Sequence, residues 1–340
     1  MPLEVIYVTR HGFRSNWLVD PSTGAYSATI RSPTGGPADP ALTAHGVDQA
    51  KELAERLLVV DPPIERVYSS MYYRCLQTVE PFVRKAAETD KTPGRRLLIR
   101  GETGIGEWYG AADFEHPVPA GHDVLQPLFP GLLDPEYEPL VVPTRKGEGI
   151  DDLHERVAKT MDALITKCDR EGVRAILLCS HAAVVIALGR VLTGNMPEST
   201  DVEDFRAFTC GLSVYRRRKM ASCDTGIRPG AGTAAGTAAG AEIGGLKNNG
   251  RTADLASEKG PELGWRDGRG VSGGWDCHLN SDCSHLSLGE ERGWRFSGDE
   301  SFKDAPAGQS MLDAGAELGV VVEGKAKHPG GEKRDSRGKL

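Results

Sequence analysis

Near the start of the chain, the mostly apolar run Leu3-Glu4-Val5-Ile6-Tyr7-Val8-Thr9 breaks off at the charged pentapeptide Arg10-His11-Gly12-Phe13-Arg14. β-Branched residues dominate the run and a glycine ends it, which predicts a buried strand rather than a helix. Such a strand is covered on both faces, so helices are expected above and below the sheet that contains it. The pentapeptide then lies at the strand's carboxyl end, where the loops of an open α/β sheet leave a crevice for ligands. Two guanidinium groups flanking an imidazole repel one another unless an anion sits between them. Phosphate is the anion such forked donors hold best.

The alternation of strand and amphipathic helix continues along the chain. Thr43 is placed to cap a helix whose apolar residues Val47, Ala50, Ala54, Leu57 and Leu58 share one face, and which stops at Asp61-Pro62-Pro63. Residues 64–68 read as a second strand; Ser69-Ser70 then lead into a helix with Tyr72, Leu76, Val79 and Val83 on its apolar face. Arg74 falls in the first turns of that helix, beside its unpaired N–H groups and positive dipole end, a second corner that favours an anion. A third strand over 96–99 runs into a glycine-rich loop that presents Glu107. The polar stretch 25–40 reads as a long loop walling the site, and 111–143, rich in Pro and Gly, as an extended insertion without regular structure. A helix over 151–170 precedes a strand at 175–179 that ends in Ser180-His181; another helix and a last strand at 210–215 follow. This is an α/β chain, expected as a three-layer α/β/α sandwich with a mostly parallel sheet.

Beyond Tyr215 the composition changes. Residues 226–250 hold eight Gly and six Ala, too little apolar side chain to order the backbone. The expected organisation is a folded domain over 1–220, a disordered Gly/Ala-rich linker over 221–270, a β-hairpin over 271–300 docked on the main domain, and a disordered polar tail over 301–340. The hairpin would turn at Asn280-Ser281-Asp282 and carry Trp275, Trp294 and Phe296. Arg216-Arg217-Arg218-Lys219 reads as a nuclear-import signal or as the solvated end of a strand. A net charge of −7 argues against direct nucleic-acid binding. No run reaches membrane-span length and no leader-like segment opens the chain, so an intracellular protein without membrane association is expected. Seven Cys without a Cys-x-x-Cys pair, and nine His without His-x-His or His-Glu-x-x-His spacing, predict neither a metal site nor a cofactor.

A parallel sheet would bring His11, Ser69-Ser70 with Arg74, and His181 to one edge, joined by Glu107 from a fourth loop. An imidazole pair, three guanidinium groups (Arg10, Arg14, Arg74) and one carboxyl suit metal-free phosphoryl transfer. A neutral imidazole attacks phosphorus, guanidinium forks hold the non-bridging oxygens, and the carboxyl protonates the leaving oxygen before taking a proton from water.

These motifs resemble the histidine phosphatase superfamily, with its phosphoglycerate-mutase-like fold. Arg10-His11-Gly12 resembles its nucleophile motif, Leu42-Thr43 with Gly46 and Gln49-Ala50 its first-helix signature, and Ser69-Ser70 with Arg74 and Gln77-Thr78 its second phosphate-binding segment. Ser180-His181-Ala182 resembles its second histidine and Glu107 its acid/base carboxylate; the likeness spans roughly residues 3–216. It implies hydrolysis of a phosphomonoester substrate, a small molecule or a phosphoprotein, through a phosphohistidine on His11. Glu107 and His181 would be catalytic, while Arg10, Arg14, Arg74 and His181 would bind the phosphate.

Phe13-Arg14 and Glu107-Trp108 stand where mutases carry Glu-Ser and an extended Glu-Arg-His-Tyr-Gly, which argues against a glycolytic mutase. The Arg14 form is similar to the suppressor-of-T-cell-receptor-signalling phosphatases. Tyr73-Arg74-Cys75-Leu76, Gly104-Ile105-Gly106-Glu107-Trp108-Tyr109 and Val118-Pro119-Ala120-Gly121 resemble the fungal tau subunits of transcription factor TFIIIC that carry a phosphatase domain. That likeness implies an alternative: a weakly catalytic or non-catalytic TFIIIC subunit, with TFIIIC subunits as partners and the nucleus as well as the cytoplasm as its location. Specificity is expected in the loops 19–40 and 110–145. Phe13, Trp17, Trp108 and Tyr109 either line a site for an aromatic leaving group such as phosphotyrosine or pack in the core.

Overall fold

The opening apolar run is strand β1 (Val5–Arg10), with all six residues buried. In the computed structural model, which describes residues 2–89, 96–199, 202–219, 263–296 and 311–312, it lies inside a six-stranded sheet. The elements after it are β2 (Leu18–Asp20), β3 (Ala25–Ser27), α1 (Ala44–Leu58), β4 (Arg66–Ser69), α2 (Tyr73–Thr89), β5 (Ile99–Gly101) and a 3-10 turn (Thr103–Ile105). Then come α3 (His122–Leu128), α4 (Ile150–Glu171), β6 (Ala175–Ser180), α5 (Ala182–Thr193), β7 (Leu212–Arg217), β8 (Trp275–Asp282) and β9 (Met311–Leu312). The sheet order is β5-β4-β6-β1-β7-β8; β5, β4, β6 and β1 are parallel, while β7 and β8 run antiparallel to their neighbours.

The period-two alternation of strand side chains explains the three layers. Val5 and Tyr7 of β1 and Leu177 of β6 pack under α1 and α2, against Leu53, Leu76, Val79 and Val83. Ile6 and Val8, with Ile176 and Leu178, face the opposite layer of α4 and α5, against Val157, Met161, Leu164 and Leu188. Thr43 caps α1 as expected, its hydroxyl accepting from Gly46 N at 3.1 Å. Helix α4 ends on Gly172 in the left-handed conformation (φ 71°), a position that an L side chain would strain.

Several expectations are corrected. The third strand begins at Ile99 rather than 96, and its amide takes the Leu132 carbonyl at 2.8 Å. The insertion over 111–143 contains helix α3, anchored by the fully buried Leu125. The 25–40 loop opens with β3, which pairs with β2. The described residues from 263 on, inside the expected linker, are built into the fold: Trp265 is 1 % exposed and its indole donates to Glu155 Oε1 at 3.1 Å.

The segment expected as a hairpin instead supplies one edge strand, β8, paired with β7. Asn280-Ser281-Asp282 does not turn, because Ser281 is spent on the adjacent chain: its N–H donates to Ser213 Oγ at 2.8 Å and its hydroxyl accepts from Phe208 N at 2.9 Å. Met311–Leu312, within the expected tail, forms β9 on β2. The remaining expectations for 220–262 and for 297–340 fall outside the described residues. Of the basic tetrapeptide at the end of β7, Arg217 pairs with Asp169 and Arg218 with Asp276, while Arg216 and Lys219 are exposed.

Candidate active site

Register places the site. Arg10 of β1 lies opposite Ser180 of β6, and Ser69 of β4 opposite Cys179, so His11, Ser70 and His181 leave three adjacent parallel strands at the same level. Donor atoms of His11, His181 and Glu107 lie within 4.8 Å of one another, and the two imidazole centroids are 5.4 Å apart, edge to face. Arg74 enters from the first turn of α2, 0 % exposed, and donates from Nη2 to Glu107 Oε2 at 2.8 Å.

Each group is held in a defined state. His11 Nδ1 lies 2.8 Å from the Gly12 carbonyl; a carbonyl only accepts, so Nδ1 carries the proton and Nε2 the lone pair. Burial, and then the charges of Arg74, Arg10, Arg14 and His181, press the pKa of His11 well below the ordinary histidine value. The ring is therefore neutral. His181 behaves oppositely: burial works against its charge, but Cys75 and Glu107 outweigh burial and raise its pKa. Its Nε2 faces Ser70 Oγ at 2.8 Å and its Nδ1 faces Glu107 Oε2 at 3.1 Å. Burial pushes the Glu107 carboxyl up, yet His181, Arg74 and Arg14 together hold it below the ordinary carboxylate range. Glu107 thus bridges two cations as an anion.

The loop carrying Glu107 is fixed from behind. Glu102, fully buried, accepts from Gly104 N (2.8 Å), Tyr137 Oη (2.7 Å) and Leu140 N (2.9 Å). Arg156 donates to the carbonyls of Gly104 and Gly106 and forks onto Glu148. The loop carrying His11 is fixed against α1: a Cβ at Gly46 would overlap the Phe13 carbonyl, so only glycine allows this approach. Gln49 Oε1 accepts from Phe13 N at 2.9 Å, and Thr78 Oγ1 from Gly12 N at 3.0 Å.

The other expected residues sit as follows. Arg10 donates from Nη1 to the carbonyls of Ala207 and Arg292. Arg14 stacks 4.1 Å from the Trp17 ring, and Arg74 lies 5.1 Å from the same ring. Tyr109 flanks the site, its hydroxyl 3.0 Å from that of Tyr72, and Phe13 lies 4.1 Å beneath Arg292. Trp108 is core: it packs on Trp294 and Phe296, and its indole donates to Glu148 O.

Asp39 was not singled out from the sequence. It ion-pairs with Arg74 at 3.5 Å and accepts from Tyr73 N at 2.7 Å, and the only signal was its place in the long 25–40 loop. Glu291 and Arg292 approach from after β8; Glu291 belongs to the Gly289-Glu290-Glu291 stretch that resembles the tau subunits, but the sequence assigns neither residue a role in the site.

His11, Glu107 and His181 have the spacing of a metal-binding set, but three guanidinium groups act on the same space and repel a cation. The field suits an anion. Among the described residues Arg74 Nε has no hydrogen-bond partner although it is buried, as expected of a donor turned toward such a guest.

The chain is 38% identical over 229 residues to the transcription factor tau 55 kDa subunit of Saccharomyces cerevisiae, covering 65% of this chain and 49% of that protein. It is 30% identical over 173 residues to the ecdysteroid-phosphate phosphatase of Drosophila melanogaster, covering 50% and 22%. The chain thus spans half or less of the curated relatives it matches. Among solved structures it is similar to the ecdysone phosphate phosphatase of Bombix mori in complex with tungstate, with a TM-score of 0.46 at 18% identity, covering 68% of this chain and 97% of that one. No helix among the described residues is long and apolar enough to cross a membrane. The model of the histidine phosphatase superfamily (branch 1) matches residues 6–221, the stretch that carries His11, Arg74, Glu107 and His181, and the chain belongs to that superfamily.

Proposed function

We propose that the chain is a metal-independent phosphomonoester hydrolase that works through a phosphohistidine on His11. The observation that carries this reading is the fixed tautomer of a neutral, buried imidazole, its ring 5.4 Å from that of His181 and under the charge of Arg74. A phosphoryl group would take over the donors of Arg74 and His181, with Arg10 and Arg14 adding positive charge. The pull that keeps Glu107 ionised then weakens, and burial favours its protonated form. Nε2 forms a bond to phosphorus as the ester P–O bond breaks, and the leaving oxygen takes the proton of Glu107. The resulting carboxylate takes a proton from water, whose oxygen attacks phosphorus and breaks the P–N bond.

Turnover of an aryl phosphate by the purified protein is expected, and its loss in His11→Ala. Equal turnover in that variant would remove His11 from the mechanism. Losing a single oxyanion donor, as in Arg14→Gln, should cost on the order of a hundredfold.

A second reading is favoured by the 38% identity to the tau 55 kDa subunit: a subunit of the RNA polymerase III factor TFIIIC, in the nucleus. Capture of TFIIIC subunits on the tagged full chain, in cells expressing His11→Ala, would show assembly independent of catalysis. Aryl phosphate turnover without such capture would leave the enzyme alone.

A further inference from the structure

Beside the phosphate site, on the far side of Glu107 and Tyr72, lies a cavity of about 320 Å³. The insertion between Glu107 and α4 builds its outer wall, and prolines dominate that wall: Pro117, Pro119, Pro139 and Pro143. Prolines offer no backbone N–H, so the wall presents carbon rather than donors. Polar groups beside the phosphate site that face it are already engaged, while His122 and Arg145 stand at its solvent side. Tyr72 Oη donates to the Pro117 carbonyl at 2.7 Å, and His116 contacts Tyr26 Oη and the Gly110 carbonyl while stacking 4.8 Å from Tyr109. At the rim Val118 and Val142, 58% and 71% exposed, carry the apolar lining out to the surface.

Three residues belong to both spaces. Ser70 holds His181, Tyr72 lies edge-on to the same imidazole at 5.4 Å, and Glu107 carries the carboxyl of the site. A phosphoryl group on Arg74 and His181 would therefore direct its ester oxygen past Glu107 and its organic part into this cavity. We infer that the cavity is the leaving-group site, and that the substrate is the phosphomonoester of a bulky apolar alcohol or phenol; this rests on the phosphatase reading above. An apolar cavity of about 150 Å³ takes one benzene ring, so roughly two fused rings fit here. A polyhydroxylated leaving group would lose its hydrogen bonds to water without replacement.

The test uses 2-naphthyl phosphate, glycerol 3-phosphate, a phosphotyrosyl peptide, and 2-naphthol, which carries no phosphate. Val118→Asp and Val142→Asp place a charge on the rim at exposed positions, where folding is not at stake. Each variant should lower kcat/KM for 2-naphthyl phosphate about tenfold or more and leave glycerol 3-phosphate unchanged, since the loss is confined to an apolar pocket. Because each ester is compared with itself across variants, leaving-group reactivity cancels. In parallel, 2-naphthol fluorescence should report saturable binding to the wild-type chain that both variants lose.

Naphthol binding lost in the variants, in a chain that hydrolyses no ester, would keep the cavity assignment and refute the phosphatase reading instead. Hydrolysis with the same naphthyl-to-glycerol ratio in all three proteins would overturn the inference. So would preferred turnover of the phosphotyrosyl peptide that neither variant reduces.

Discussion

A histidine with the ordinary pKa near 6.5 is almost wholly protonated at pH 5, so lowering the pH from 7.5 to 5 would cut its nucleophilic form roughly thirtyfold. His11 is built to escape that loss. Burial disfavours its cation first, and the charges of Arg74, Arg10, Arg14 and His181 all act in the same direction, so much less of the nucleophilic form should be lost over that range. The measurement is nitrogen NMR of the chain labelled at histidine, with the His11 signals assigned by their absence in His11→Asn. Nδ1 should remain protonated and Nε2 bare below pH 6.5, where an ordinary histidine is mostly cationic, and phosphoenzyme formation at saturating substrate should fall less with pH than an ordinary histidine would allow. His181 should remain cationic above pH 6.5. The two rings pull stability in opposite directions. The raised pKa of His181 contributes stability that is full below 6.5 and fades as the pH rises through its folded value. The lowered pKa of His11 costs stability as the pH falls below 6.5, because the unfolded chain binds a proton that the folded site refuses. A His11 signal titrating near 6.5, or a proton on Nε2 at pH 7, would refute the argument.

Arg74→Met leaves the buried carboxylates of Glu107 and Asp39 without their shared counter-charge and should destabilise the fold by about 3–5 kcal/mol in urea; a loss below about 1 kcal/mol would contradict the pairing seen here. Glu107→Gln should slow hydrolysis of an alkyl phosphate on the order of 10²–10⁴-fold but phosphorylation by a good aryl leaving group far less, and the phosphoenzyme should accumulate. The stabilisation that Glu107 draws from its lowered pKa is full above about 4.5 and lost as the pH falls through its folded value, so any difference in Tm between wild type and this variant should change only on the acid side. Trp265→Ala should cost about 3–5 kcal/mol if 263–296 is part of the folded unit, and next to nothing if it is a loosely attached arm.

The site was legible wherever chemistry and periodicity coincided. His11 and His181 each follow an apolar strand directly, so a parallel sheet alone aligns them, and Thr43 announces its helix by composition. Trp108 was ambiguous because the sequence cannot tell which way a ring leaves a glycine-rich loop; it turned inward once Trp294 and Phe296 supplied a surface to pack on. Asn280-Ser281-Asp282 misled because turn propensity is local, whereas Ser281 is satisfied by Ser213 and Phe208, about seventy residues away. Asp39 escaped notice for the same reason. A carboxylate in a polar loop becomes informative only when a buried guanidinium from another element reaches it.

The segment after β8 extends this reasoning beyond the stretch that the family model covers. Glu291 accepts from Gln49 Nε2 at 2.7 Å and lies 2.5 Å from His45 Nε2; Gln49 in turn accepts from Phe13 N, two residues after the proposed nucleophile. The Arg292 carbonyl takes Nη1 of Arg10, and its guanidinium lies over the Phe13 ring. Residues far along the chain thus brace both the loop that fixes the His11 tautomer and the α1 side chains that hold that loop. A guanidinium held by two carbonyls keeps its charge in place. From there Arg10 adds its charge to the field at His11, and would add it to that felt by an anion arriving there.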